Sequence, residues 1–159
     1  MYAAIGVTVD GQRDILRLWV GTGGEGAKYW LQVLTEIKNR GVEDACIVVC
    51  DGWKGLPESI EATWPLAIVQ TCVLHLIRNT FRLASRADGD KMASELRPVY
   101  TAVNEADAAA RLDEFHTIWG NRYPAIQSLW KNAWAEFVPF LDYSPEIRRV
   151  IYWTIAIES

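Results

Sequence analysis

The apolar run Ala45–Cys50, closed by Asp51-Gly52, limits the folds open to this chain more than any other stretch. Ile47, Val48 and Val49 are β-branched and do not alternate with polar residues, the pattern of a strand buried on both faces. Such a strand needs helices above and below it, so the run predicts a parallel α/β sheet. In open α/β sheets, ligands gather at the carboxyl ends of the strands. Asp51 stands at that end. A carboxylate there is either a ligand for a cation or a turn-former capping the next helix, and the stretch alone leaves both open.

Residues 2–20 read as a β-hairpin. Two apolar runs, Tyr2–Val9 and Ile15–Val20, flank Asp10-Gly11, a dipeptide suited to the positive φ of a tight turn. Asp10 is a turn residue on this reading. In the second strand strict alternation puts Ile15, Arg17 and Trp19 on one face and Leu16, Leu18 and Val20 on the other. A helical period at 27, 30, 31, 34 and 37 follows, with Gly41 as its C-cap. After Asp51 come a short helix over Leu56–Trp64, a strand over Ala67–Leu74 that enters His75, and a helix over Leu76–Ala84. The order β-β-α-β-α-β-α is that of a ribonuclease-H-like fold without its first strand.

From residue 85 to 143 the strand signals stop. Helical patterns run through Lys91–Leu96, Glu105–Trp119 and Ala125–Phe137, with breaks at Pro98, Gly120–Pro124 and Pro139. The expectation is an α/β core over 1–84, an all-helical insertion over 85–143, and a return to the core over 144–159. The length, 159 residues at 50% hydrophobic, supports one ordinary core. No apolar run approaches 18 residues, and no charged segment leads into an apolar leader, so neither a membrane span nor a secretory signal is expected. Three cysteines without framework spacing point to a reducing compartment. A net charge of −4 argues against a dedicated nucleic-acid-binding domain held by bulk charge.

Two motifs invite other readings. Gly21, Gly23 and Gly26 match G-x-G-x-x-G between a strand and a helix, and Asp51 follows at about the distance of a ribose-binding acid. Against a dinucleotide site, the preceding strand carries Asp14 and Arg17 and belongs to a hairpin, and Glu25 would face the pyrophosphate. Cys72-x-x-His75 resembles half a zinc site, with Cys46, Cys50 and His116 as the remaining soft candidates. Cys46 and Cys50 lie on one face of a buried strand and read as core.

Five stretches together resemble the mutator-type family of bacterial insertion-sequence transposases. They are Val20-Gly-Thr-Gly-Gly-Glu-Gly-Ala-Lys, Cys50-Asp-Gly-Trp-Lys-Gly-Leu-Pro-Glu-Ser-Ile, Val69-Gln-Thr-Cys-Val-Leu-His-Leu-Ile-Arg-Asn, Trp119-Gly-Asn-Arg-Tyr-Pro-Ala-Ile, and the terminal Pro139–Ser159. The resemblance implies a ribonuclease-H-like catalytic core with an Asp-Asp-Glu triad and a helical insertion before the Glu. Asp51 matches the second acid and Glu158, in Ala156-Ile-Glu-Ser, the third. Both are implied as ligands of two Mg²⁺ (or Mn²⁺) ions that drive DNA strand cleavage and transfer. The family's first Asp is expected on a strand before Tyr2, and Asp10 does not replace it.

The family's usual Thr-Thr-Asn before Ala-Ile-Glu-Ser is replaced by Trp153-Thr-Ile155. The chain therefore reads as an internal fragment or a decayed reading frame, inactive by itself. His75, Arg78, Trp119, Arg148, Arg149 and Lys54 are the candidate DNA contacts, Trp119 by stacking on an unpaired base. For His75 and Trp119 a purely structural role is the competing reading, and for the cations a solvated helix face. DNA and further transposase subunits are the expected partners, in the bacterial cytoplasm at the nucleoid. A catalytically silent remnant that binds only DNA or intact subunits, and a dinucleotide-binding domain, are the alternatives.

Overall fold

Asp10-Gly11 turns the chain back on itself. In the computed structural model, which describes residues 2–20, 26–51 and 53–154, β1 (Tyr2–Val7) pairs antiparallel with β2 (Arg13–Trp19). Gly11 holds φ +79° in the turn, and its N–H donates to the Thr8 carbonyl at 2.9 Å. Ala4 lies opposite Arg17 but Ile5 opposite Ile15, so Leu16 is an extra residue in the ladder. This bulge breaks the strict alternation expected from sequence: Leu16 and Trp19 pack on the core, while Leu18 is exposed. An added residue shifts every later side chain by one face.

Helix α1 (Ala27–Asn39) buries Trp30, Val33, Leu34 and Ile37, the apolar stripe that its period predicts. It ends in a Schellman motif. Gly41 at φ +106° donates to the Lys38 carbonyl, and Val42 N–H reaches that of Ile37. Arg17 pairs with Glu36, and Arg40 Nη1 donates to the Leu16 carbonyl at 2.6 Å, so the bulged residue and the one after it are tied to α1 and its C-cap. Beyond β3 (Ile47–Cys50) lies α2 (Leu56–Thr63), whose Leu56 and Ile60 join Trp64 and the α1 stripe in one core. β4 (Ile68–Thr71) pairs with β3, and Ile68 N–H donates to the Cys46 carbonyl at 2.9 Å. The two strands thus start side by side, the arrangement of a parallel pair joined through a helix. Among the described residues the sheets stay separate: β1–β2 is one pair and β3–β4 the other, yet both contribute side chains to the same core.

The chain divides into two compact units, Met1–Val69 and Gln70–Ser159. The second is helical: α3 (Val73–Arg82), a 3-10 turn at Arg86–Asp88, α4 (Gly89–Tyr100), α5 (Glu105–Trp119), α6 (Pro124–Phe137), a second 3-10 stretch at Val138–Asp142, and α7 (Pro145–Thr154). Asn104 Oδ1 caps α5 by accepting the Asp107 N–H, and Pro124 opens α6 where its missing N–H costs nothing. Trp130 is fully buried, and its indole N–H donates to Thr80 Oγ1 at 2.9 Å. That bond, with Gln70 Nε2 to the Phe137 carbonyl and Thr71 Oγ1 to Glu136, places α3 in the helical unit. The division into these two units therefore precedes α3. Strand β4 also ends at Thr71, earlier than expected, because Cys72 caps a helix that already begins at Val73. Helix α4 runs past Pro98 to Tyr100; buried Leu96 and Val99 anchor its last turn.

Overall, the described residues form a mixed α/β structure, and none of its helices is long and apolar enough to cross a membrane. The glycine run at Gly21 and Gly23 lies outside the described residues. Within the helical unit, burial pushes the His116 imidazole below its ordinary value of 6.5, with Asp113 opposing the shift. Its Nε2 is buried, with no hydrogen-bond partner among the described residues. A depressed histidine favours the fold above its unfolded pKa, and that advantage is lost as pH falls below 6.5 toward the folded value. Urea midpoints taken at about pH 7.5 and about pH 5.5 should fall more steeply for the wild type than for His116→Gln. Equal slopes would place the acid sensitivity elsewhere.

Candidate functional site

Asp51 follows β3 directly, as the apolar run predicts, and its carboxylate is half-buried. The chain then turns through Trp53–Gly55 into α2. Leu56 N–H donates to the Trp53 carbonyl at 3.0 Å. Gly55, the residue before α2, holds φ +82°, and a Cβ there would lie 2.6 Å from the Ala27 backbone nitrogen. The glycine is therefore required twice, by its backbone conformation and by the close approach of α1. Ser59 Oγ donates to the Ala27 carbonyl at 2.9 Å and reinforces that contact. Trp53 lies against Trp30, ring centroids 6.4 Å apart, while Lys54 is exposed. The segment Asp51–Ser59 is thus an acid at a strand end, held by a turn wedged against α1.

His75 stands in the first turn of α3. Cys72 caps this helix through sulfur: Sγ accepts the His75 backbone N–H at 3.2 Å and lies 2.9 Å from His75 Nδ1. Cys72 is buried and the imidazole half-buried. Arg78, one turn on, is half-buried, and Arg82 is exposed beside Asn79.

The other sequence candidates fare differently. Trp119 is buried, and its indole N–H donates to Glu95 at 2.6 Å with the Lys91 ammonium over its ring. In this conformation the ring is a core element and is not presented for stacking on a base. Arg148 is turned inward. Its guanidinium donates to the carbonyls of Tyr143 at 2.9 Å, Ala102 at 2.8 Å and Leu141, and lies over Phe140. It ties the α4–α5 connection to the start of α7. Arg149, its neighbour, is exposed. Glu158 lies outside the described residues.

Sequence reasoning missed what holds the Trp119-Gly-Asn-Arg-Tyr-Pro stretch in place. Arg122 grips Asp88 through both guanidinium nitrogens, at 2.9 and 3.2 Å, and the Tyr123 hydroxyl donates to the same carboxylate. Tyr123, then Ser85 and the cations of Arg122 and Lys91, hold the Asp88 carboxyl below its ordinary value. An Arg-Tyr pair following a tryptophan is the only trace of this latch in the sequence. A cavity of about 350 Å³ between α5 and α6, lined by Leu112, His116, Lys131 and Trp134 among others, also had no sequence signal.

The family profile described as "Transposase, Mutator family" matches residues 1–159. The chain belongs to the Mutator family of transposases. A probable transposase for an insertion sequence element of Corynebacterium diphtheriae is 50% identical over 159 residues, which is 99% of this chain and 46% of that protein. The transposase of insertion sequence element ISRM3 of Rhizobium meliloti (strain 1021) is 43% identical over 160 residues, 100% of this chain and 40% of that one. The transposase of IS905 of Lactococcus lactis is 30% identical over 159 residues. This Mutator-family chain therefore spans less than half the length of these relatives.

The contrast between the two neighbouring arginines is directly measurable. Arg148→Ala should lower the unfolding free energy by about 2 kcal/mol, because charge-assisted bonds to buried carbonyls are lost. Arg149→Ala should stay within about 0.5 kcal/mol of wild type. Equal losses in urea unfolding would contradict the inward role given to Arg148.

Proposed function

We propose that this Mutator-family chain is part of the catalytic core of a DDE-type insertion-sequence transposase, with Asp51 and Glu158 as two of its metal-ligating carboxylates. The split sheet carries the reading. Two strand pairs cover one α1–α2 core, and among the described residues no ladder joins them. A ribonuclease-H-like sheet without its central strand leaves two such halves. β3 fits this too. Its Ile-Val-Val-Cys sequence suits burial on both faces, yet all four residues are only half-buried. The reading assigns the strand between the halves, and the first acid of the triad, to sequence outside this segment.

Asp51 supports the reading by position and chemistry. It offers hard oxygen donors at the carboxyl end of a strand in an α/β unit, and Mg²⁺ takes a few such carboxylates together with waters and substrate phosphates. When bound, a pair of such ions stabilises both the entering and the leaving oxygen of an in-line displacement at phosphorus. The protein's part is to hold the carboxylate still, and the Gly55–Ala27 contact does this for the segment behind Asp51. On this reading Lys54, His75, Arg78 and Arg149 meet the phosphate backbone of DNA. Trp119 and Arg148 act by shaping the helical insertion.

A replacement experiment tests this. The segment matching this chain in the Corynebacterium diphtheriae relative is exchanged for residues 1–159, and cleavage of DNA carrying that element's ends is followed. Mg²⁺-dependent cleavage is expected, with Asp51→Asn and Glu158→Gln each reducing the rate roughly a hundredfold or more. The 159-residue chain alone should not nick DNA. Cleavage that survives Asp51→Asn would overturn the assignment. A folded, assembled chimera without any cleavage would favour a subunit-binding remnant.

A further inference from the structure

We propose that the outer face of α3 and the turn after it form a track for the phosphate backbone of duplex DNA, with Arg78, Arg82 and Arg86 as its cations and no reading of base sequence. The identity of the polymer rests on the transposase reading above; the charge pattern does not. A net charge of −4 argues against binding by bulk charge, but the acids are unevenly spread. Residues 62–87 contain no Asp or Glu, the longest such stretch in a chain of 20 acids. The same stretch holds Arg78, Arg82 and Arg86 and no lysine. A chain that is acidic as a whole thus has one segment whose formal charge is purely positive.

Packing decides which way these charges face. Helix α3 buries Val73, Leu76, Ile77 and Thr80, and Thr80 is locked to the Trp130 indole at 2.9 Å. The opposite side of its 3.6-residue period carries Arg78, Asn79 and Arg82. Arg78 is half-buried and Arg82 exposed, and Arg82 Nη1 donates to Asn79 Oδ1 at 3.4 Å. The two arginines stand one turn apart, about 6 Å along the axis. Arg86 is exposed in the 3-10 turn that follows.

Like charges at this spacing repel each other. Carboxylates supply the remedy for Arg111 on α5, which pairs with both Asp107 and Glu114. Among the described residues no carboxylate pairs with Arg78, Arg82 or Arg86. Asp88, the next acid along the chain, is taken up by Arg122, Tyr123 and Ser85. The row therefore calls for an anion from outside, and a planar guanidinium matches phosphate oxygens well. Charges repeated along a helix and its exit turn fit a polyanion better than a single ion, and duplex DNA carries its phosphates at regular intervals. Contacts to phosphate fix position without sensing sequence.

The test is fluorescence anisotropy of two duplexes of unrelated sequence, titrated with the full 159-residue chain over a salt series. Arg82→Ala and Arg86→Ala are the informative variants, since both side chains are exposed and their loss should leave the thermal midpoint unchanged. Each should weaken binding of both duplexes about tenfold at low salt and lower the slope of log K against log salt by about 0.9, the double variant by about 1.8. Arg82→Lys should keep the slope, because the charge remains, and Arg111→Ala should change nothing, because its charge is already offset. Unchanged slopes in the alanine variants would overturn the track, as would failure of the wild type to bind either duplex. A loss confined to one duplex would point to base contacts and refute sequence independence. Weakened self-association in sedimentation, with DNA affinity intact, would give the face to a second copy instead. Asp51-dependent cleavage by the chimera with unchanged slopes would refute the track and leave the transposase reading standing; lowered slopes without cleavage would do the reverse.

Discussion

The close approach of α2 to α1 at Gly55 sets where the chain can turn after β3, and so where Asp51 stands. A side chain at Gly55 would meet the Ala27 backbone, and φ there is positive. The Ser59 hydroxyl bridges the same two helices. Beneath that contact, Trp30, Leu34, Ile60 and Trp64 form the core that both strand pairs share. The hairpin is held to this core by a different means. Arg17 and Arg40, one on the strand and one at the end of α1, pin the bulge through an ion pair and a carbonyl. Asp51 thus follows a strand that packs on this core and, among the described residues, pairs with β4 alone.

In the helical unit the organising interactions are polar groups turned inward. Asp88 gathers Arg122, Tyr123 and Ser85; Glu95 takes the Trp119 indole; Thr80 takes that of Trp130; and Arg148 collects carbonyls from two connections. Apart from the local bonds of Ser85 to Asp88 and of Arg148 to Tyr143 and Leu141, these bonds link segments far apart in sequence, so they specify one packing of amphipathic helices that could otherwise slide along their apolar stripes. This explains why residues typical of a DNA-contacting surface are spent on internal contacts here. It also separates Arg148 from Arg149, which identical chemistry and adjacent positions do not.

Periodicity made α1, α5 and α6 legible, since Trp30, Leu34 and Ile37, or Leu112, Phe115 and Trp119, fall on one stripe. The hairpin and the strand before Asp51 were legible from Asp10-Gly11 and the β-branched run. The bulge at Leu16 was not, because alternation presumes one residue opposite one, and only the partner strand reveals the extra residue. The start of α3 was missed for a related reason. Val73 and Leu74 are as apolar as the strand before them, and sulfur is an uncommon helix cap, so the change from strand to helix carried no polar mark. For the candidate site, the place of Asp51 at a strand end was legible from the apolar run before it. Glu158 and the candidate DNA contacts rested on resemblance and on charge alone, because a charged residue on a helix reads alike whether it meets phosphate, solvent or a carbonyl.

The central claim is that Asp51 is a metal ligand, the alternative being a carboxylate that only caps the turn into α2. Anomalous diffraction from crystals of the Corynebacterium chimera grown with Mn²⁺ decides between them. The account predicts a Mn²⁺ peak bonded to an Asp51 carboxylate oxygen at about 2.1–2.2 Å, lost in Asp51→Asn crystals. A fully ordered site with Asp51 bonded only to backbone N–H groups of the following turn, and Mn²⁺ elsewhere or absent, would contradict it.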